Sequence, residues 1–429
     1  MSAPTLYHSP ATTVTGAATR PDAFGNAVVL RCRACAAEQQ LGPYYACMEC
    51  FGPLEVAYDF PAITREQIAS GPPNIWRYRD LLPVRPDIAG IPNTEPGYTR
   101  LLKADNLARE LGLKSLWVKD DSGNPTHSFK DRVVAVALAA ARELGLTVLA
   151  CPSTGNLANA TAAAAARAGI RSVVLIPEDL ERAKIVNTAV YGGTLIAVKG
   201  TYDDVNKLAS EIAGEEAGWA FVNVNVRPYY SEGSKTLGYE IAEQLGWRLP
   251  EQIVIPVASG SQLTKVDKGF TELGSLGLVE PTAYRVFGAQ AAGCAPVAAA
   301  FRDGHDVVRP VKPDTIAKSL AIGNPADGPY ALDTCRRTGG TVEQVSDDEI
   351  RAAILLLART EGIFTETAGG TTIATLKKLV ETGQLDPDAD TVAINTGDGL
   401  KTLDAVGDRV GPTVTIGASY AEFTAAGLA

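Results

Sequence analysis

Short apolar segments alternate with longer amphipathic segments through the middle of the chain. The apolar segments have the length of buried β-strands and occupy residues 116–118, 148–151, 173–176, 195–198 and 220–222. Between them, apolar residues recur with helical spacing, which predicts helices over 128–144, 156–168, 180–191 and 203–216. Strands that alternate with helices of this length predict a parallel sheet covered on both faces. The pattern therefore favours the α/β class.

The same alternation continues towards the C-terminus. It predicts strands over 253–257, 284–289 and 391–395, and helices over 232–245, 263–275, 293–303 and 347–361. The last of these helices is well signalled, because Ser346 precedes it and Glu349 follows three residues later, as in a capping box. The last strand leads directly into Thr396-Gly397-Asp398-Gly399.

Composition and charge narrow the class of protein. The chain has 429 residues, of which 46% are hydrophobic and 21% charged, so it is long enough for two or three domains with a full core. Its net charge of −10 argues against nucleic acid or an anionic membrane as the main partner. No window reaches about 18 apolar residues, the length that predicts a transmembrane helix. Residues 1–25 lack the apolar segment of a secretory signal, and we expect a cytoplasmic protein.

Four of the seven cysteines are clustered near the N-terminus. They are Cys32, Cys35, Cys47 and Cys50, in the pattern C-x2-C-x11-C-x2-C. They lie among short alternating stretches, which predict two small β-hairpins with a cysteine pair at each turn. Paired cysteines at this spacing match a tetrahedral zinc ribbon with a structural metal, which would hold together hairpins whose own core is too small. The alternatives are reduced cysteines without metal and disulfides formed on oxidation.

The segment Pro125-Thr126-His127-Ser128-Phe129-Lys130-Asp131-Arg132 places a lysine in the first turn of a predicted helix. The helix dipole disfavours positive charge there by up to about 1 kcal/mol. One use that explains the placement is covalent, because a lysine amine forms a Schiff base with a carbonyl cofactor. The alternative is an ordinary surface lysine. His127 is either a ligand contact or, as we prefer, a bystander.

Three loops that follow predicted strands are candidates for ligand binding. Pro152-Ser153-Thr154-Gly155-Asn156 offers backbone N–H groups and two hydroxyls at a helix start, with Asn156 as the predicted N-cap, which suits a carboxylate. Ala258-Ser259-Gly260-Ser261-Gln262 has small residues that let the backbone approach a phosphate. Thr396 supplies one hydroxyl at the end of the last strand, where ligands bind in open α/β sheets. Each loop also fits an ordinary turn.

Together these features resemble the enzymes of the tryptophan synthase β-subunit class, which depend on pyridoxal 5'-phosphate (PLP), and within that class the threonine synthase family. The resemblance extends from about Tyr98 to Val406. The motifs that carry it are Ser128-Phe129-Lys130-Asp131-Arg132, Ser153-Thr154-Gly155-Asn156, Val198-Lys199-Gly200-Thr201-Tyr202-Asp203, Arg227-Pro228-Tyr229-Tyr230-Ser231-Glu232-Gly233-Ser234-Lys235-Thr236, Glu366-Thr367-Ala368-Gly369-Gly370 and Thr396-Gly397-Asp398-Gly399-Leu400-Lys401.

The resemblance implies a PLP site and assigns residues to it. Lys130 would form the Schiff base and later act as acid and base. Asn156 would hold the phenolate oxygen of the cofactor, and Thr396 would face the pyridine nitrogen, which a neutral hydroxyl cannot protonate as a carboxylate would. The loop of Ala258, Ser259, Gly260, Ser261 and Gln262 would wrap the cofactor phosphate. This loop departs from the commoner family pattern, Gly-Asn-x-Gly-Asn, and its serines would replace asparagine donors.

The resemblance also implies a substrate, O-phospho-L-homoserine, which a lyase of threonine biosynthesis converts with water to L-threonine and phosphate. Ser153, Thr154 and Gly155 would bind the substrate carboxylate. The substrate phosphate needs cations or aligned donors, for which the candidates are Arg227, Ser231, Lys235 and Lys318.

The implied fold is two doubly wound α/β domains with the cofactor cleft between them, in a chain expected to form a homodimer. The predicted division is an N-terminal arm over 1–27, a zinc-ribbon-like element over 28–60, a large PLP-binding domain from 61–127 and 227–429, and a small α/β domain over 128–226. Two other reactions remain open: β-replacement, as in a cysteate synthase that uses O-phosphoserine and sulfite, and threonine or serine dehydration. A non-catalytic regulatory module with this fold is a further alternative, and Lys130 argues against it.

Overall fold

Strands and helices alternate along most of the chain in a computed structural model of the protein, which describes residues 23–87, 95–153, 155–178, 182–200 and 202–427. The strands are β1 (Ala27–Cys32), β2 (Glu38–Gln39), β3 (Leu54–Tyr58), β4 (Arg100–Lys103), β5 (Ser115–Asp120), β6 (Val148–Pro152), β7 (Arg171–Pro177), β8 (Thr194–Val198), β9 (Trp219–Phe221), β10 (Gln252–Pro256), β11 (Arg285–Ala291), β12 (Val342–Val345) and β13 (Asp390–Asn395). The helices are α1 (Arg65–Ala69), α2 (Asp105–Leu111), α3 (Lys130–Glu143), α4 (Asn156–Ala168), α5 (Arg182–Ala189), α6 (Tyr202–Glu215), α7 (Arg227–Glu232), α8 (Lys235–Gln244), α9 (Ser261–Ser275), α10 (Pro296–Arg302), α11 (Gly328–Arg337), α12 (Asp347–Glu361), α13 (Thr367–Glu381) and α14 (Tyr420–Ala425). The predicted α/β class is confirmed.

The chain divides into two units whose segments alternate along the sequence. The first unit contains the described residues of Met1–Thr99, Gly123–Leu249 and Lys265–Thr282. The second contains those of Arg100–Ser122, Pro250–Thr264 and Ala283–Ala429. The domain boundaries predicted from the sequence are not those of these two units, and they stay a prediction. Most of the predicted N-terminal arm lies outside the described residues.

The first unit contains a four-stranded parallel sheet in the order β8-β7-β6-β9. Every residue of β6 is buried, as the continuous apolar sequence of a parallel strand requires. Val148, Ala150 and Leu175 from the sheet pack with Val205 and Ala209 of α6 in one apolar cluster. This burial fixes the strand ends, from which the loop before α4 emerges.

The four cysteines border a separate, three-stranded antiparallel sheet in the order β2-β1-β3. The first cysteine pair lies at the turn between β1 and β2, as predicted for a hairpin. The second pair precedes β3, which pairs with β1 and not with β2. The prediction of two separate hairpins is therefore corrected to one sheet with β1 at its centre, because β2 has only two residues.

The second unit is built on a six-stranded sheet in the order β12-β11-β10-β13-β5-β4. All neighbouring strands in it are parallel except β4 and β5. Helix α12 begins with the predicted capping box, in which Glu349 N donates to Ser346 Oγ at 3.3 Å and Ser346 N donates to Glu349 Oε2 at 2.6 Å. No helix in the described part of the chain has the length and apolar character needed to cross a bilayer.

Candidate active site and metal centre

Lys130 is the first residue of α3 and is half-buried. Its Nζ lies 5.5 Å from the ring centroid of Phe129 and 5.9 Å from that of Tyr230 on α7. Within the described ranges, no hydrogen bond or ion pair engages this Nζ. The amine is therefore not committed to a structural partner there, and two aromatic rings border it.

The loop before Lys130 is held by the side chain of Asp131. Thr126 donates to Asp131 twice, from its backbone N to Oδ2 and from Oγ1 to Oδ1, both at 2.8 Å. His127 has a left-handed backbone, with φ of 61°, and its N donates to Asn124 O at 2.8 Å. The His127 side chain is exposed, whereas Ser128 is fully buried and its Oγ has no partner among the described residues.

An internal ion pair anchors the start of α3. The Arg132 guanidinium is fully buried and donates to both carboxylate oxygens of Glu240, at 2.6 and 2.8 Å. Tyr98 N donates to the same carboxylate at 2.6 Å. The chain passes so close here that Gly97 (φ 87°) has no space for a side chain, since an added Cβ would lie 2.7 Å from Glu240 Oε1 and 2.9 Å from Arg132 Nη1. The position of Lys130 is thus set by a tightly packed polar core two residues away.

The predicted carboxylate loop lies between β6 and α4 in the first unit. Ser153 is buried, and its Oγ accepts a hydrogen bond from Gly155 N at 3.4 Å. The helix covers 156–168 as predicted, but the prediction of Asn156 as its N-cap is wrong. Gly155 occupies the N-cap position, and Asn156 is the first helical residue. A Cβ added to Gly155 would meet no atom within 4 Å, so there is open space at this helix start. The fourth predicted residue, Thr154, lies outside the described residues.

The predicted substrate-phosphate residues occupy different environments. Arg227 begins α7 and is half-buried, and Ser231 on the same helix donates to Pro228 O at 2.9 Å. Lys318 is exposed in a short 3₁₀ helix of the second unit.

Lys235 differs from the other phosphate candidates because it is fully buried. Its Nζ lies 2.7 Å from Glu232 Oε2, 3.0 Å from Glu272 Oε2 and 2.9 Å from Leu81 O. Burial raises the pKa of the Glu232 carboxyl, but its lysine neighbours outweigh burial and hold that pKa well below its usual range. The charge of Lys235 is neutralised inside the protein, and we exclude this residue from the proposed substrate contacts.

The predicted phosphate loop connects β10 to the N-terminus of the 15-residue helix α9. Gly260 is required there, because its φ is 93° and an added Cβ would lie 2.7 Å from Asp327 O. Ser259 O accepts from Asp327 N at 2.8 Å, which holds the loop in place. The Nε2 of Gln262 is buried without a hydrogen-bond partner in the described part of the chain. A donor of this kind at a helix N-terminus fits an anion such as a phosphate.

Thr396 follows β13, whose neighbour in the sheet is β10. The two strands are parallel, so Thr396 and the loop 258–262 leave the same, carboxyl edge of the sheet. Thr396 Oγ1 lies 2.8 Å from Glu366 Oε1, and both side chains are buried. The sequence motif contained Glu366, but nothing in its spacing indicated this contact, which joins residues 30 positions apart.

A hydrogen-bonded network supports the turn that carries Thr396. Asn395 Oδ1 accepts from Thr365 Oγ1 at 2.6 Å, and Asn395 Nδ2 donates to Asp120 Oδ1 at 2.8 Å. Gly369 leaves room for this network, since an added Cβ would lie 1.9 Å from Thr365 Oγ1. The backbone of the turn is also fixed, because Glu366 N donates to Gly397 O at 3.0 Å.

The sulfur atoms of Cys32, Cys35, Cys47 and Cys50 all lie within 4.8 Å of one another. The distance is 3.5 Å between the sulfurs of Cys32 and Cys50, and 3.7 Å between those of Cys35 and Cys47. A tetrahedral site with Zn–S bonds of about 2.3 Å has sulfur–sulfur edges of about 3.8 Å. The arrangement matches that geometry, and all four cysteines are free of disulfides.

The two cysteine turns have nearly the same backbone. In the first, Ala36 N donates to Cys32 O at 3.1 Å and Ala36 has a φ of 62°; in the second, Phe51 N donates to Cys47 O at 3.0 Å and Phe51 has a φ of 60°. Backbone N–H groups also point at sulfur atoms, as from Ala34 to Cys32 at 3.3 Å. Such bonds stabilise thiolates and orient metal ligands.

The three-stranded sheet is fastened to α7 and α9 within the first unit. Tyr58 OH on β3 donates to Glu232 Oε2 at 2.7 Å, and Lys268 Nζ on α9 donates to Val56 O at 2.8 Å. Glu55 on β3 pairs with Lys265 on α9. Ahead of the second cysteine pair, Gly42 N donates to Tyr229 OH at 2.8 Å. The cysteine cluster is therefore part of the structure of the first unit.

Comparison with known proteins identifies relatives along most of the chain. Residues 93–397 match a family model described as pyridoxal-phosphate dependent enzyme. The threonine synthase of Methanocaldococcus jannaschii is 40% identical over 84% of this chain and 89% of its own length, and that of Methanosarcina acetivorans is 38% identical over 88% and 93%. Among solved structures, the processed form of threonine deaminase isoform 2 from Solanum lycopersicum is similar with a TM-score of 0.61, covering 72% of this chain and 83% of its own, at 24% identity.

The structural likeness to the deaminase shows the fold alone, whereas the two curated relatives agree in name and cover most of both chains. The family model also spans Lys130, the loop before α4, the loop before α9 and Thr396. The chain therefore belongs to the threonine synthase family of PLP-dependent enzymes.

Proposed function

We propose that this protein is a threonine synthase that converts O-phospho-L-homoserine and water to L-threonine and phosphate. The observation that carries the proposal is the Lys130 amine, which begins α3 without a structural partner among the described residues, in a chain 40% identical to a threonine synthase. The reaction class is that of a carbon–oxygen lyase acting on a phosphate ester.

The residues present fit PLP by the chemistry of their donors. Gln262 Nε2 is a buried donor without a partner in the described part of the chain, Gly260 keeps the loop free of a clashing side chain, and a helix starts directly behind them. We assign the cofactor phosphate to the loop 258–262, the phenolate oxygen to Asn156 and the ring nitrogen to Thr396. When bound, PLP withdraws electron density from the carbons of an attached amino acid.

The protein's own groups would then bind the substrate and move protons. Ser153, Thr154 and Gly155 are assigned to the substrate carboxylate, for which the start of α4 provides backbone donors. Arg227, Ser231 and Lys318 stay the candidates for the substrate phosphate. The Nζ of Lys130 would take a proton from the substrate Cα, pass it on, and then take one from Cβ, after which phosphate would leave Cγ. A proton would then return to Cγ, the hydroxyl of water would add at Cβ, and a proton would return to Cα.

The test is an assay of the purified protein with PLP and O-phosphohomoserine. We expect an absorbance band near the visible edge that shifts on adding substrate, with phosphate and threonine formed in equal amounts. A band without phosphate release, together with turnover of O-phosphoserine and sulfite, or of threonine or serine, would replace the proposal by β-replacement or dehydration. The absence of any band after adding PLP would contradict a PLP enzyme.

We further propose that Cys32, Cys35, Cys47 and Cys50 hold a structural zinc ion. Metal analysis of the purified protein is expected to find about one zinc per chain, because the four thiolates complete a closed tetrahedral site. Cys32→Ser should lose most of this zinc and lower the midpoint of thermal unfolding, since metal binding contributes to folding. Cys335→Ser is the matched control. Cys335 is a buried cysteine on α11, outside the cluster, and its replacement is expected to leave the zinc content unchanged. Equal zinc in both variants, or none in the native protein, would overturn the assignment.

The predicted homodimer and cytoplasmic location stay predictions. Size-exclusion chromatography with light scattering would test whether the protein is a homodimer.

A further inference from the structure

Glu366 and Thr396 form a buried hydrogen bond for which the proposed reaction has so far no use. The two oxygens, Glu366 Oε1 and Thr396 Oγ1, are 2.8 Å apart. The side chains are 2% and 7% exposed. An ionised carboxylate can only accept hydrogen bonds, whereas a hydroxyl has one proton to donate and lone pairs with which to accept. If Glu366 is ionised, the single proton of Thr396 is committed to it, and the threonine oxygen faces any other group as an acceptor.

The position of Glu366 favours the ionised form. It occupies the N-cap position of the 15-residue helix α13, where the helix dipole stabilises negative charge by roughly 0.3–1 kcal/mol, more in partly buried sites. Its side chain does not cap the helix itself, so the carboxylate is directed to other partners. The helix dipole thus opposes the cost of burying this charge.

The backbone keeps the two side chains facing each other. Glu366 N donates to Gly397 O at 3.0 Å, and Gly399 N donates to Phe364 O at 2.9 Å. Between them, Thr365 and Asp398 form an antiparallel bridge. The segment before α13 and the turn after β13 therefore move as one piece, and the Glu366–Thr396 contact does not depend on a single flexible side chain.

We propose that Glu366 is a positioning residue that, through the Thr396 hydroxyl, holds the ring nitrogen of PLP in its protonated form. The proposal rests on the proposed function, in which Thr396 faces this nitrogen. Two arrangements contain the same number of protons. In the first, Glu366 is a carboxylate, the Thr396 hydroxyl donates to it, and the ring nitrogen carries a proton. In the second, Glu366 is a carboxylic acid, the Thr396 hydroxyl donates to the ring nitrogen, and that nitrogen carries no proton. The helix dipole at Glu366 favours the first. Thr396 alone would present a neutral hydroxyl to the ring nitrogen, as the sequence suggested. The pair of Glu366 and Thr396 carries a negative charge, which a neutral hydroxyl lacks.

The experiment is nitrogen-15 NMR of the holoenzyme loaded with PLP labelled at the ring nitrogen, without substrate. The native protein is expected to give the chemical shift of a protonated pyridine nitrogen. Glu366→Gln is expected to give that of an unprotonated one, because a neutral amide leaves no charge to stabilise the proton and lets Thr396 donate to the nitrogen. Glu366→Asp should restore the protonated signal at least partly. Glu381→Gln is the matched control on the same helix, where an exposed carboxylate pairs with Lys377, and should leave the signal unchanged.

The outcomes separate the two proposals. Failure of the native protein to bind PLP would contradict the proposed function. Bound PLP with an unprotonated ring nitrogen in the native protein would overturn the role of Glu366 alone, and so would a protonated nitrogen that persists in Glu366→Gln. A merely structural role would lower the thermal midpoint of Glu366→Gln and leave the nitrogen signal in place. If Glu366→Gln does not fold, the nitrogen signal of Thr396→Val is compared with that of the native protein instead. Valine removes the hydroxyl that links the Glu366 charge to the ring nitrogen, so this variant should also give the signal of an unprotonated nitrogen.

Discussion

Replacing Lys130 by alanine is expected to lower the rate of threonine formation by about 10³-fold or more and to remove the absorbance shift on adding substrate. The side chain supplies both the covalent attachment of PLP and the amine that moves protons at the substrate, and general acid–base groups alone contribute 10²–10⁴-fold. The measurement is steady-state release of phosphate, with the absorbance spectrum recorded in parallel. Because the Lys130 amine has no hydrogen bond or ion pair in the described ranges, the change should cost little stability.

Lys207→Ala provides the control for this prediction. Lys207 lies on α6 with an exposed side chain, at the 4.0 Å limit of an ion pair with Glu211, and its removal should leave rate and spectrum unchanged. A Lys130→Ala protein that keeps more than about a tenth of the native rate would show that another group does the proton transfer, since the lost effect would then be below that of one general base.

Removing the carboxylate of Glu240 is expected to produce a large loss of stability in the first unit. Glu240→Ala leaves the fully buried Arg132 guanidinium without its counter-charge and removes the acceptor of Tyr98 N. Breaking a buried ion pair by deleting one partner costs about 3–5 kcal/mol. The free energy of unfolding, measured by denaturant titration and followed by tryptophan fluorescence, should fall by that amount.

An exposed pair gives the comparison for Glu240. Glu381→Ala removes the partner of Lys377 on the surface of α13, where such pairs contribute about 0.3–0.5 kcal/mol. Similar losses in the two variants would mean that solvent or another group compensates Arg132, and that the ion pair does not anchor α3.

The strands and helices with regular patterns could be predicted from the sequence, and those set by packing could not. The buried strands β6 and β7, the helix α4 and the capping box at Ser346 all coincide with local signals. Helix α13 had no such signal, because its first half reads Thr-Ala-Gly-Gly-Thr-Thr, in which every residue except the alanine has low helix propensity. It forms because nearly every residue of that half is buried, so that tertiary contacts override propensity.

The candidate site shows the same division between local and distant information. The motifs around Lys130, Gly260 and Thr396 are contiguous in sequence, which is why they could be recognised. Lys235 pairs with Glu232, three residues earlier in the same motif, and also with Glu272, 37 residues away. The sequence offered no indication of the second contact, nor a reason to prefer these partners over a phosphate. Likewise, Glu366 meets Thr396 only because α13 and β13 pack together in the second unit.

The place of β13 in its sheet bears on how the protein is made. It is the last strand in sequence but lies between β10 and β5. Until residues 390–395 leave the ribosome, the six-stranded sheet exists only as two pieces, β4–β5 and β10–β11–β12, each with an open hydrogen-bonding edge. A nascent chain truncated shortly before residue 390 would therefore expose two apolar strand edges, and its release should lead to aggregation or chaperone capture rather than to a smaller folded protein.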